Sequence, residues 1–192
     1  DRKRSSNDKL NNPEFVEKNY QNIKEIFEKL RRENKTKFLV CMAKNNFEME
    51  IAIASDIFDS FAAYFNLFDI WPIDFFGKIE RKHKGFIGIK PLRHGILTNN
   101  FLETSPTCDM YTSAMFEDMP YFISGLIDWS KDNNPYQSLQ ELAIGFVRSH
   151  PLVKTNIFGT SNVEHLEKII NSPPMPINDF YNLLFKLKKF KG

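Results

Sequence analysis

The fold is decided by residues 154–167, which read KTNIFGTSNVEHLE. The first five residues have the length and composition of a β-strand, and the Gly-Thr pair after them supplies a turn. Ser161 and Glu164 then have the spacing of a capping box, in which two side chains satisfy free amides at a helix start. The stretch therefore predicts a strand, a turn and a helix, which is the repeating unit of α/β proteins.

The same unit recurs along the chain. Further strands are predicted at residues 38–43, 60–65 and 86–89. Helices are predicted at about 13–34, 46–55, 74–84, 118–130, 138–149, 161–171 and 178–190. The first of these strands is apolar throughout, as in a strand buried on both faces. Gly85 suits the left-handed position that closes the helix before it.

Strands that alternate with helices indicate the α/β class, in which crossover helices cover a sheet of parallel strands. The pattern alone does not distinguish an open, doubly wound sheet from part of a barrel. Four predicted strands fall short of the eight in a complete barrel, which usually needs about 250 residues. We predict that the α/β domain spans residues 13–171. It is preceded by a flexible polar leader at 1–12 and followed by a Pro-rich linker with a terminal helix at 172–192.

Composition argues against several classes of function. The net charge is +2, from 26 basic and 24 acidic residues, so no one-sided excess of charge favours nucleic acid or a membrane surface. No apolar run has the length of a membrane span. Cys41 and Cys108 lie in no metal-binding spacing and favour a reducing compartment, so we expect a cytoplasmic protein without a metal. The polar start without an initiator Met suits a processed or excised piece.

Three stretches resemble aldo-keto reductases, in matching order and spacing. Residues 85–98, GFIGIKPLRHGILT, are similar to the seventh strand of the family's barrel and the loop after it. Residues 139–151 are similar to the helix before the eighth strand, and 157–167 to the end of that strand and the next helix. Residues 64–69 are similar to the end of strand six. The resemblance spans residues 38 to about 171 and implies the second half of a TIM (β/α)8 barrel.

The resemblance also implies a site for NADP(H). After the eighth strand, Gly and small hydroxyl residues let the backbone approach a phosphate, and the amides and dipole of the next helix favour the anion. Any Ser-x-x-Glu helix start looks much the same, so the motif by itself is weak. The implied cofactor contacts are Lys90, Leu92, Gly95, Gly159, Thr160, Ser161, Asn162 and His165.

Other parts of the family's site have no counterpart. Its catalytic Asp, Tyr, Lys and His come from the first half of the barrel, so no catalytic residue is assigned in this chain. At the nicotinamide end, Ala62 stands where the family usually has Gln, and Ile89 where it has an aromatic residue. Ala43-Lys44 replaces Ser-Asn, although a slip in register would bring Asn45 or Asn46 there. Each carboxamide group left unpaired costs about 1–3 kcal/mol.

Three functional hypotheses follow. The chain is part of an NADP-dependent aldo/keto reductase that cannot transfer hydride alone, or a non-catalytic relic that binds a nucleotide phosphate or serves assembly. In the third, a new site is built at the strand ends around Arg93, His94 and Asn66.

A half barrel also predicts a partner. Its two sheet edges, and inner residues such as Phe61 and Ile87, must be covered. We therefore expect the chain to pair with itself or with another chain that completes the sheet edges. Neither nucleic acid nor a membrane is an expected partner.

Overall fold

The structure is a computed structural model that describes residues 13–98, 119–132, 136 and 138–190. The predicted leader and Cys108 lie outside the described residues. The helices are α1 (Pro13–Arg32), α2 (Asn46–Ser55), α3 (Ile73–Arg81), α4 (Met119–Asp132), α5 (Leu139–Ser149), α6 (Val163–Asn171) and α7 (Ile177–Phe190). The strands are β1 (Val40–Met42), β2 (Ser60–Tyr64), β3 (Gly85–Ile89) and β4 (Val153–Ile157), and a 3-10 turn spans Arg93–Gly95.

The four strands form one parallel sheet in the order β1-β2-β3-β4. Each strand lies beside the next one in sequence, and α2, α3 and the α4–α5 pair make the crossovers between them. The predicted α/β class with parallel strands is confirmed. In the part of the chain that is described, no helix is long and apolar enough to cross a membrane.

One face of the sheet packs against the helices. Phe65, which follows β2, is fully buried, and its ring lies 5.5 Å from those of Phe76 on α3 and Phe146 on α5. Phe146 also stacks on Phe180 of α7, with 4.9 Å between ring centroids. These contacts join the sheet, the crossover helices and the terminal helix into a single hydrophobic core.

The opposite face of the sheet is open. Val40 is 41% exposed and Met42 47%, and Tyr64 and Ile157 on the same face are also exposed. The prediction that the first strand is buried on both faces is therefore wrong. Two rows of paired residues cross this face. One row consists of Met42, Ala62, Ile87 and Thr155, and the other, nearer the carboxyl ends of the strands, consists of Tyr64, Ile89 and Ile157.

Three predictions about single residues are wrong. Phe61 is 1% exposed and packs on the helix side, because side chains of a strand alternate between faces. Gly85 begins β3, and the left-handed residue after α3 is His83, with φ 54°. The helical spacing of Leu166, Ile169 and Ile170 on α6 predicts that all three face inward, but only Ile169 is buried, while Ile170 is 62% and Leu166 37% exposed.

Candidate functional site

A cavity of about 850 Å³ opens between the loop after β3 and the turn after β4. Both segments follow the carboxyl ends of parallel strands, which is where ligands bind in α/β folds. Six of the eight residues expected to contact a cofactor line the cavity: Lys90, Leu92, Gly95, Gly159, Thr160 and His165. The other two, Ser161 and Asn162, lie on the exposed backbone beside it.

The loop after β3 has an unusual backbone. Lys90, Arg93 and His94 all have positive φ, at 56°, 41° and 56°, and Gly95 follows at 87°. For residues with a side chain, each such conformation costs about 1–2 kcal/mol, so contacts elsewhere must hold the loop in place.

Asn66 supplies one of these contacts. It is fully buried, and its amide nitrogen donates to the Lys90 carbonyl at 3.1 Å and to an Asp69 carboxylate oxygen at 2.9 Å. Its side-chain oxygen accepts from the amides of Phe68 and Asp69, both at 2.9 Å. Asn66 therefore ties the loop after β2 to the loop after β3, which gives it a scaffolding role at the strand ends.

Arg93 is held to the same loop. Its guanidinium donates to the Asp69 carboxylate and lies 5.2 Å from the centroid of the Phe68 ring. The ion pair is mostly buried, so it holds the Arg93 side chain against the loop after β2.

Lys90 and His94 form a second pair at the cavity wall. The Lys90 ammonium lies 2.6 Å from His94 Nε2 and 4.7 Å from the centroid of the Tyr64 ring. Burial lowers the pKa of His94, and the positive charges of Lys90 and Arg93 lower it further. The lowered pKa favours the neutral ring, whose Nε2 can accept from Lys90 when the ring proton is on Nδ1.

The turn after β4 is closed by Asn162. Its side-chain oxygen accepts from the amides of Glu164 at 2.8 Å and His165 at 3.3 Å, so Asn162 is the N-cap of α6. The prediction that Ser161 caps this helix is wrong, because Asn162 is the residue with the extended backbone that an N-cap needs. Residues 159–161, which precede the cap, are exposed.

Comparison with known proteins identifies the family. The model of the aldo/keto reductase family matches residues 58–180, most of the chain and all of the cavity wall. The chain belongs to the aldo/keto reductase family. A search of curated protein sequences gives no match.

Solved structures agree with this fold. The holo form of aldo-keto reductase AKR11C1 from Bacillus halodurans is 16% identical and superposes with a TM-score of 0.66 over 85% of this chain and 54% of that one. Its apo form gives 16% identity and a TM-score of 0.67 over 85% and 55%. The present chain thus spans about half the length of the aldo-keto reductase that it matches.

Sequence reasoning missed the wall of the cavity that α5 and α6 supply. Ser138, Gln140, Glu141 and Lys168 line it, in addition to the residues named above. The Gln140 side-chain nitrogen is buried and makes no hydrogen bond within the described residues. The capping residue Ser138 is the sequence feature that could have indicated this wall, since it marks the start of α5.

The structure also shows the surroundings of the residues considered for the carboxamide end of the site. Asn45, the residue that a slip in register would have supplied, caps α2 by accepting from the Glu48 amide at 2.9 Å. Ala43 is almost completely buried. Within the described residues, no group of three or more His, Cys, Asp or Glu side chains could hold a metal ion.

Proposed function

We propose that this chain is the cofactor-binding half of an NADP-dependent oxidoreductase of the aldo-keto reductase type, and that it binds nucleotide phosphate without transferring hydride alone. One observation carries the proposal: residues from the two segments that the family resemblance selected meet in a single cavity. Such a cavity, at the loops after the last two strands, is where barrel folds commonly hold phosphate.

The charge of the lining supports an anionic ligand. Lys90 and Lys168 contribute positive side chains, and Arg93 contributes a third whose charge is paired with Asp69, against the single carboxylate of Glu141 among the lining residues. The Gln140 nitrogen adds a neutral donor that a bound oxygen would satisfy. A phosphate group meets both needs, since it carries charge and several acceptor oxygens.

The lack of assignable catalytic residues supports the second half of the proposal. Hydride transfer to a carbonyl needs a proton donor next to the reacting oxygen. The family's donor and its partners come from strands that this chain does not match, and the carboxamide contacts are replaced. The alternative is a relic that binds the phosphate or serves assembly without any redox role. In either case a cytoplasmic location, where NADPH is available, is part of the proposal.

Titration of the chain with NADPH by calorimetry tests the binding. We expect micromolar affinity that weakens as salt is added, because the lining is basic and partly open to solvent. Thr160→Asp places a negative charge in the cavity wall and should weaken binding at least tenfold. The matched control, Thr155→Asp, puts the same charge on the open face of β4, outside the cavity lining, and should leave affinity unchanged.

Two results would overturn the proposal. The first is no NADPH binding at millimolar concentration by a chain that is folded by circular dichroism. The second is steady-state reduction of a generic aldehyde by the chain alone, since that would require a proton donor among its own residues.

A further inference from the structure

The contact between Lys90 and His94 limits how both side chains can be protonated. The Lys90 ammonium lies 2.6 Å from His94 Nε2. An ammonium group has three donors and no acceptor, so Nε2 has to accept in this hydrogen bond. The imidazole ring must therefore be neutral for the bond to form, with its proton on Nδ1.

The surrounding structure holds the two side chains together. The Lys90 backbone amide donates to the Ile157 carbonyl at 3.1 Å, and its carbonyl accepts from the buried Asn66 side chain at 3.1 Å. The Lys90 ammonium also lies 4.7 Å from the centroid of the Tyr64 ring, which attracts a cation. The base of Lys90 is thus fixed, while its charged end rests between two rings at the cavity wall.

The other charges near His94 come from three elements. On its own loop, Arg93 is paired with Asp69 of the loop after β2. In the described part of the chain, α5 contributes Glu141 to the cavity lining, and α6 contributes His165 and Lys168. Burial lowers the pKa of His94, and the charges of Lys90 and Arg93 lower it further. In the free protein these surroundings favour the neutral ring.

An anion in the cavity reverses this preference. Both His94 and Lys90 line the cavity, and a negative charge close to an imidazole favours its protonated form. Once protonated, Nε2 no longer accepts from Lys90, and the two positive charges repel each other. The Lys90 ammonium is then released to donate to the anion, and the ring of His94 adds a second positive charge.

We propose that His94 is a proton-linked positioning residue: it holds Lys90 at the cavity wall in the free protein and takes up one proton from solvent at Nε2 when an anion binds. The phosphate of a nucleotide would consequently bind more tightly as pH falls. This inference rests on the proposed function, because it concerns the same cavity, and it adds regulation of that cavity by pH.

Binding of inorganic sulfate tests the proton uptake. Sulfate stays doubly charged from pH 8 to 5.5, whereas a phosphate ester itself titrates with a pKa near 6. We expect its affinity, measured by calorimetry at constant ionic strength, to rise about five- to tenfold between these two pH values. Titration in two buffers with different heats of protonation should show uptake of up to one proton per sulfate near pH 6.5 and none at pH 8.

Two histidine variants locate the proton. His94→Asn cannot be protonated, and Asn tolerates the left-handed backbone at this position. Its affinity for sulfate should rise less than twofold between pH 8 and 5.5. The matched control is His165→Asn, since His165 lines the same cavity from α6. Whatever its affinity, this variant should retain most of the rise that the wild type shows.

Ring NMR spectra of the histidines test the Lys90 contact directly. Sulfate should raise the pKa of His94 in the wild type. Lys90→Met removes the neighbouring charge and should raise the pKa of His94 without any anion. His83, which is exposed and lies outside the cavity lining, should titrate at the same pH in all these samples.

The outcomes separate this inference from the proposed function. Sulfate affinity that changes less than twofold with pH, or a pH dependence that His165→Asn removes and His94→Asn retains, would overturn the inference and leave NADPH binding intact. Proton-linked sulfate binding by a chain that does not bind NADPH would support the inference and overturn the proposed function. If neither ligand binds, both are overturned.

Discussion

Asn162 holds the start of α6 beside the cavity by accepting from two backbone amides. Asn162→Ala removes this acceptor and leaves both amides without their partner. We expect the free energy of unfolding to fall by about 1 kcal/mol, within a range of about 0.5–2. Urea denaturation followed by circular dichroism measures this change.

Ser161→Ala is the matched control for the cap. Ser161 is exposed, and substitutions at such positions usually change stability by no more than about 0.5 kcal/mol. A larger loss for Ser161→Ala than for Asn162→Ala would contradict the capping assignment. The sequence predicted a polar cap at this helix start but assigned it to Ser161 instead of Asn162, because Ser and Asn are both good N-caps and the choice depends on the backbone conformation.

His150 gives the fold a dependence on pH. It is half-buried at the end of α5, with ring centroids 4.6 Å from Phe76 and 5.9 Å from Phe180, and its Nδ1 accepts from the Leu152 amide at 3.2 Å. Burial lowers the pKa of His150, although the negative charge of Glu80 partly opposes this. The folded protein therefore favours the neutral ring.

The lowered pKa sets the direction of the effect. Above the ordinary histidine pKa of about 6.5 the ring is neutral in both states and contributes no penalty. As pH falls below that value, the unfolded chain takes up the proton first, so stability declines until the folded ring is protonated as well. His150→Asn keeps an acceptor for the Leu152 amide but cannot be protonated. Between pH 7 and 5 it should lose less stability than the wild type in urea denaturation.

The exposed His83 is the control for this prediction, because its side chain contacts solvent in both the folded and the unfolded state. His83→Asn should retain the pH dependence of the wild type, and Asn also tolerates the left-handed backbone at this position. Equal effects of the two substitutions would exclude His150 as the source.

Helix α5 depends on a glycine at its point of closest packing. A Cβ added at Gly145 would lie 2.6 Å from Cε1 of the rigid Tyr136 ring, which is too close for a real contact. Gly145→Ala should therefore destabilise the protein by about 1–3 kcal/mol, the usual cost of overpacking a core. The midpoint of urea denaturation reports the change.

Gly77 in α3 is the counterpart with room for a methyl group, since the nearest atom is the flexible end of Arg81 at 3.5 Å. Gly77→Ala should stabilise the protein by about 0.5–1 kcal/mol, because alanine restricts the unfolded chain and favours helix. Opposite signs for the two substitutions are the expected result. If both substitutions stabilise the protein, helix propensity outweighs packing at Gly145.

The sequence predicted where the helices and strands lie better than which of their faces are buried. The helix of α5 could be predicted because Leu142, Ala143 and Phe146 repeat at helical spacing, and all three are buried. Phe61 was placed on the wrong face because hydrophobicity does not tell which face of a strand packs against the helices. Ile170 was wrongly expected to be buried because an apolar stripe on a helix does not show whether another element covers it. The cavity wall from α5 was missed because its residues lie far apart in sequence from the loop they face.

The sheet should tolerate truncation of a side chain on its open face but not on the face that packs against the helices. Phe61→Ala removes a buried ring on the helix side and should cost about 3–5 kcal/mol, because it leaves a cavity in the only core that the described residues form. Ile157→Ala, on the open face, should cost no more than about 0.5 kcal/mol in the chain alone, because Ile157 is 51% exposed. Urea denaturation of the isolated chain measures both. If Ile157→Ala costs several kcal/mol there, the open face is already covered in solution, and a second copy of the chain becomes the natural partner.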